Sequence, residues 1–244
     1  MKGRFLNFLV FSLLCLFGRN RLEAQLFVGL GYQQGFWNME NTKLAVNRFN
    51  GQGFLFKSLG QFRWPGGEIY AASYRTEEIL LELTLNSRRQ RISAESFSGN
   101  TLMRRDIRFS LQSLTVSAGP AVVDQDDFAM YLCGSLDFGY MRLLTRLAPK
   151  INISRANYSV LRRQQMLAVT AFVRMVFRAS RESLLTMSLS PYIQYPLQDF
   201  DFTILNQILN PQEWVLDPRP LSGRALNFGL TFTFDLDLLG FLDD

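Results

Sequence analysis

From Leu226 to Leu236 the chain reads LNFGLTFTFDL, and every second residue is large and apolar. Leu226, Phe228, Leu230, Phe232, Phe234 and Leu236 alternate with Asn227, Gly229, Thr231, Thr233 and Asp235. Side chains of a strand point alternately to opposite faces, so strict period-2 alternation marks a strand whose two faces meet different environments. A helix is excluded there, because its apolar positions recur every three or four residues.

The same pattern recurs upstream. In DFAMYLCGSLDFGY, Phe128, Met130, Leu132, Leu136, Phe138 and Tyr140 share one face, while Tyr131, Cys133, Ser135 and Asp137 share the other. EILLELTLN, LAVTAFVRMVF and LLTMSLSPYIQY alternate likewise. Adding QLFVGLGYQQGFW, GEIYAASY and RRDIRFSLQSLTVSAG gives about eight strands by the periodicity template. In the stretches 67–74 and 105–119, Ser and Thr blur the two faces. Short connections at 75–78, 120–127 and 179–183 alternate with longer ones at 38–66, 95–104, 146–163 and 197–223. That order is the plan of an up-and-down barrel with turns at one rim and loops at the other. The fold expected is all-β: one antiparallel up-and-down barrel without a linker or internal repeat.

Alternation alone does not say which face is outside. A soluble periplasmic lipid-binding barrel points its apolar set inward; a transmembrane barrel points it at lipid. Several strands keep the alternation for about ten residues, the length a tilted strand needs to cross a bilayer. The polar face is rich in Gly, Ser and Thr, small enough to fill a narrow lumen, and too sparse in charge for a water-exposed coat. A transmembrane barrel is therefore expected.

The N-terminus agrees with that address. Lys2 and Arg4 precede the apolar run FLNFLVFSLLCLFG, and a polar stretch leads to LEAQ. This is the order of a secretory signal peptide, placed at residues 1–24 with the barrel domain at 25–244. Export through the Sec pathway is expected. Without residues 1–24 the formal net charge falls from +5 to +2, so no nucleic-acid partner is implied. Only Cys133 survives the cleavage, and one cysteine forms no intrachain disulfide.

No histidine occurs in the sequence, which excludes Ser-His-Asp and Cys-His catalysis and His-containing zinc sites. GLGYQQG spaces its glycines too widely for a dinucleotide fingerprint and opens no helix. DQDD at 124–127 offers oxygen ligands of the kind calcium takes, yet an acidic solvated turn is the simpler reading. No catalytic residue, metal site or cofactor is expected.

Charges on the polar face, Glu82, Arg108, Asp137, Arg174 and Asp235, are expected to neutralise one another inside the barrel. Eight strands leave a lumen just wide enough for side chains to fill, and unpaired buried charge is costly. A plugged lumen is favoured over a conducting one. Two loop clusters are basic: Arg88, Arg89, Arg91, Arg104 and Arg105, then Arg142, Arg146, Lys150, Arg155, Arg162 and Arg163. At the outer rim they would face lipopolysaccharide phosphates, which suit guanidinium forks. The last long loop is acidic and apolar, and Phe200, Phe202, Leu205 and Trp214 are candidates for contact with a protein partner.

The eight-strand plan, the closing NFGLTFTF, GSLDFGY in the fifth strand and the AQ junction together resemble the small OmpA/OmpX-like outer-membrane β-barrel proteins, Bacteroidota-type barrels in particular. The resemblance covers nearly all of the chain after residue 24. It implies a Gram-negative outer membrane as the destination and insertion by the barrel-assembly machinery with the last strand as its signal, from which DLLGFLDD departs by following that strand in place of an aromatic terminus. The function expected is a non-enzymatic integral outer-membrane barrel with a structural or protein-interaction role, alone or as a subunit of a larger envelope complex. Alternatives are a narrow pore or small-ligand carrier, and the soluble periplasmic lipid-binding barrel.

Overall fold

The computed structural model describes residues 25–52, 55–216 and 220–243; the signal peptide expected at 1–24 lies outside them. In chain order the elements are β1 (Gln25–Asn38), α1 (Glu40–Gly51), β2 (Leu55–Lys57), β3 (Gly66–Arg75), β4 (Ile79–Ser98), β5 (Thr101–Asp124), β6 (Phe128–Pro149), a 3-10 turn (Lys150–Arg155), β7 (Ser159–Phe177), β8 (Leu185–Pro196), β9 (Phe200–Asp201), α2 (Thr203–Leu209), α3 (Pro211–Leu216), β10 (Ser222–Gly223), β11 (Leu226–Asp237) and α4 (Leu238–Asp243).

Eight strands close a ring. From β3 through β8 each pairs antiparallel with the next, β8 pairs with β11, and β1 joins β11 to β3. Asp237 pairs with Phe27; that row runs through Ser73, Glu82, Ser117, Ser135, Thr170 and Gln194 and returns to Asn227, ten residues along β11 from its start. This stagger tilts the strands and makes an inward row spiral up the wall.

Near the short turns the faces are sorted by solvent. Outward side chains such as Leu30, Leu132, Ile193 and Phe234 are exposed, while the buried inward ones include Thr84, Ser117, Ser188, Thr233 and Asp235. A water-soluble barrel sorts the other way. The arrangement is that of a barrel with lipid outside and a polar interior.

Toward the long connections the polarity inverts. On β4 the outward residues change from Leu81, Leu83 and Leu85 to Ser87, Arg89 and Arg91, while the inward ones change from Glu82, Thr84 and Asn86 to Ile92 and Ala94. On β5 the inward set changes from Ser117, Thr115 and Ser113 to Leu111, Phe109 and Ile107. Once a strand leaves the lipid its outer face meets water, and the interior must supply the apolar core.

That upper core joins Trp37, Ile107, Phe109, Leu111, Met141, Leu143 and Met166 of the wall to Ala45 and Val46 of α1 and to Phe200, Phe202, Leu205 and Leu209 around α2. The barrel is thus crowned by a folded cap. Two expected loops are largely strand: β4 and β5 run to a hairpin whose tip holds only Gly99 and Asn100, and β6 and β7 reach past the lipid band before the 3-10 turn. Gly99 has φ 56°, a left-handed conformation glycine adopts without Cβ strain, which permits the tight turn.

Candidate functional site

The centre of the lumen is an ion cluster of four residues. Arg174 on β7 places Nη1 2.9 Å from Glu82 Oε2 on β4 and Nη2 3.1 Å from Asp235 Oδ2 on β11. Arg75, at the end of β3, donates to the same Asp235 oxygen at 2.5 Å and to Thr186 Oγ1 at 3.1 Å. Ser188 Oγ donates to Asp235 at 2.7 Å, and Arg174 Nη2 also donates to Thr233 Oγ1 at 3.1 Å. All four charged side chains are nearly inaccessible, and two cations balance two carboxylates. Neutrality is what makes such burial tolerable.

A second polar layer lies beside it. Asp137 accepts hydrogen bonds from Thr115, Thr170 and, at 3.0 Å, from Gln194 Nε2. Gln194 Oε1 accepts from Arg88 Nη2 at 3.0 Å, so one amide links a buried carboxylate to a buried guanidinium. Arg88 further donates to Tyr192 Oη at 3.1 Å and stacks its guanidinium over Trp37, 5.6 Å from the ring centroid. Between the layers is a cavity of about 40 Å³ lined by Glu82, Asn86, Ser135, Asp137 and Arg174 among others. It has room for a few water molecules, which would meet the unpartnered Ser117, Ser135 and Ser190 hydroxyls.

Both ends of this interior are closed. Below, Leu80, Ala129, Tyr131, Cys133 and Val176 pack together, and Tyr131 Oη donates to Thr76 O at 3.2 Å. Above sits the capped apolar core. At the short-turn rim, the carboxylates of Asp124 and Asp126 turn to Arg178 and Arg181, with Arg181 3.2 Å from Asp126. Among the described residues no cluster of acidic or cysteine side chains suits a metal ion.

The lumen set expected from the sequence is therefore partly regrouped. Glu82, Arg174 and Asp235 come together, and Asp137 stands in the neighbouring hydrogen-bond layer. Arg108 is a correction: it faces outward, 4.0 Å from the Tyr158 ring centroid. The inward positions of β5 are the odd ones from Ile107 to Ser117, which leaves Arg108 on the outer wall. Arg75 and Arg88 are lumen residues that the alternation pattern does not reveal. Arg75 ends a strand, where alternation is weakest, and Arg88 lies in a segment that reads as the approach to a loop but is strand.

The basic residues expected at the outer rim occupy five different situations. Arg88 is a correction, being buried inside the barrel. Arg104 and Arg146 grip Asp106 at 2.8 Å each, and Lys150 holds Glu95 at 2.9 Å, on the outside of the cap. Burial alone would push the Asp106 carboxyl up, but hydrogen bonds and charge from Arg104 and Arg146 leave it below the usual carboxylate range. The hydrogen bond from Lys150 likewise holds Glu95 low. Arg162 pairs with Asp201 at 3.1 Å, and Arg155 is exposed on the 3-10 turn. Arg105 is partly buried, and that burial lowers its pKa. Arg89, Arg91, Arg142 and Arg163 face outward without a carboxylate within 4.0 Å among the described residues, as does Arg108.

The partner-binding loop is also corrected. Phe200, Phe202 and Leu205 are at most 2% exposed and form the cap core, so as folded they offer no surface to a partner. Their apolarity answers a core above the lipid band. The side chain of Trp214, on α3, lies outside the described residues.

No protein-family model and no curated protein matches the chain. Among solved structures it is similar to Neisserial surface protein A, at 10% identity and a TM-score of 0.47 over 88% of this chain and 99% of that one. It is also similar to Ail, the attachment invasion locus protein of Yersinia pestis, solved with the heparin analogue sucrose octasulfate, at 11% identity and a TM-score of 0.42 over 87% of this chain and 99% of that one. A third is the N-terminal β-barrel domain of Pseudomonas aeruginosa OprF, at 11% identity and a TM-score of 0.33, covering 86% and 97%. These neighbours are small outer-membrane β-barrel proteins; the eight-stranded closure of the present chain stands on its own strand registers.

Proposed function

We propose that this chain is a non-enzymatic integral outer-membrane β-barrel that does not conduct and that serves, through its folded cap, a structural or protein-interaction role. The observation that carries the reading is the filled lumen: an apolar plug, a neutral ion cluster, a small polar cavity and a capped core follow one another along the axis. A pore needs a continuous water path, and this sequence of layers opposes one. The lack of histidine closes Ser-His-Asp and Cys-His hydrolysis to the chain, which supports a non-enzymatic role. Export through the Sec pathway and insertion by the barrel-assembly machinery belong to the same reading.

Two measurements test it. Reconstituted into a planar bilayer, the protein should give no steady conductance; discrete, reproducible channel steps would overturn the sealed-lumen reading. Extraction in mild detergent followed by native mass measurement then separates a lone barrel from a subunit. Defined companions that travel with it would make the envelope assembly the thing whose function needs explaining.

A further inference from the structure

The outward wall of β4–β7 carries unbalanced charge in an ordered place. Arg91 on β4 stands directly opposite Arg108 on β5, and Arg142 on β6 directly opposite Arg163 on β7. Arg89 lies one outward position below Arg91. Like charges paired across strands repel, and here no carboxylate intervenes. Nearer the cap tip the opposite holds, since Arg104, Arg146 and Lys150 are each neutralised by Asp106 or Glu95. Positive charge without a carboxylate partner is thus concentrated at one level of the wall, apart from Arg105 and Arg155 nearer the tip.

That level is set by the lipid band. Leu85, Phe138 and Leu167 end the continuous outward apolar runs of β4, β6 and β7, four residues below Arg89, Arg142 and Arg163 respectively, and exposed apolar residues recur only nearer the tip, as at Phe97, Leu147 and Val160. Four residues of a strand tilted by about 40° climb roughly 10 Å, enough to carry a side chain from the edge of the hydrocarbon past the head-group region of one leaflet. Between the two levels stands Tyr140. The Arg142 and Arg163 guanidiniums each lie 4.6 Å from its ring centroid, and Arg142 donates to its hydroxyl at 3.0 Å. Tyr140 in turn donates to Gln112 on β5, which fixes the ring. Two forks held on one aromatic post form a preorganised anion receptor.

Resting on the membrane-barrel reading above, we infer that Arg142 and Arg163, held on Tyr140, together with Arg89, Arg91 and Arg108 on the adjoining β4 and β5, form a binding site for the phosphate groups of an outer-leaflet glycolipid. The phosphates bridge the facing arginine pairs and remove their repulsion. A soluble polyanion shares the charge but would meet the tip of the cap first, where Arg104, Arg146 and Lys150 are already paired and Arg155 stands exposed.

The test uses the full mature chain in detergent, with the unheated and heated gel mobility of the barrel as the folding control. Diphosphorylated lipid A, the same lipid after dephosphorylation, and heparin are the probes, with bound lipid counted by native mass spectrometry. The expected result is retention of the diphosphorylated lipid alone, weakened at least tenfold in R142Q/R163Q and in R91Q/R108Q, with both variants still heat-modifiable. Unchanged affinity in both variants, or equal retention of the dephosphorylated lipid, would overturn the inference. So would displacement of the lipid by heparin through the same arginines, which would assign them to a soluble polyanion. A protein that stays dispersed without detergent and shows no heat-modifiable mobility would instead sink the membrane-barrel reading itself.

Discussion

Arg174 reaches from β7 to two walls at once, 2.9 Å from Glu82 on β4 and 3.1 Å from Asp235 on β11. It is a tie between strands that are not neighbours in the sheet and share no backbone ladder. Removing one partner of a buried ion pair leaves uncompensated charge, at a cost of about 3–5 kcal/mol. R174A should therefore destabilise the barrel by roughly that amount, read as a lower guanidinium midpoint in refolded, lipid-reconstituted protein. A shift under about 1 kcal/mol would mean that water in the lumen screens the cluster.

The cap and the lipid-embedded barrel should separate under mutation. Phe200 is fully buried and lies 6.1 Å from Trp37, ring centroid to centroid. F200A removes an aromatic side chain from a packed core, costing about 3–5 kcal/mol. Limited proteolysis should then cut within 197–225, while the heat-modifiable mobility of the barrel persists. Loss of both together would show that the two cores fold as one unit.

Stability of the cap should depend on pH with a definite sign. The folded Asp106 carboxyl titrates below its ordinary value of 3.8 because Arg104 and Arg146 hold its charged form. The contribution is complete above that ordinary value and disappears as pH falls through the lower, folded one. Protection of the amides at residues 95–106, relative to their intrinsic exchange rates, should hold at pH 5 and fall only once the pH passes below the ordinary carboxyl value of 3.8, and D106N should flatten this response while lowering protection at pH 7. A loss of protection that begins at pH 6 would point to a different group.

Closure of the ring depends on a close approach of backbones. A Cβ on Gly31 of β1 would stand 1.9 Å from Phe232 O and 2.7 Å from Thr233 Cα, both on β11. Since backbone does not yield as a side-chain tip does, G31V should loosen the β1–β11 seam by about 1–3 kcal/mol. The expected readout is less heat-modifiable material after refolding, with a lower thermal midpoint for what does fold.

Cys133 offers a simple probe of the sealed lower end. It is buried inside the barrel near Tyr131 and Val176. A polar maleimide should leave the folded barrel unlabelled for hours and modify it fully after denaturation. Rapid labelling in the folded state would contradict the apolar plug.

Much of this architecture is legible in the order of residues. Leu226 through Leu236 announce a strand between two solvents, because period 2 is a backbone property that no tertiary contact alters. Ring order follows from the alternation of short and long connections, and a narrow lumen demands that Glu82, Arg174 and Asp235 find counter-charges. The departures have a common physical source. Arg88 and Arg108 sit on faces other than those expected, and Phe200, Phe202 and Leu205 fill a core that the strand pattern does not announce. Alternation gives the period of a strand and not the identity of the solvent on each side. Where β4, β5 and β6 leave the lipid, the apolar face becomes the inner one with no break in the backbone pattern.

The sequence by itself determined the lipid-crossing core of each strand, that each such core has two unlike faces, and that histidine chemistry is closed to the chain. Only the tertiary structure decided the ten-residue stagger, the height at which inside and outside exchange polarity, and which arginines meet a carboxylate. Those depend on distances between residues far apart in the chain. Charge pairing falls steeply with separation and with solvent exposure, and neither quantity exists until the ring has closed.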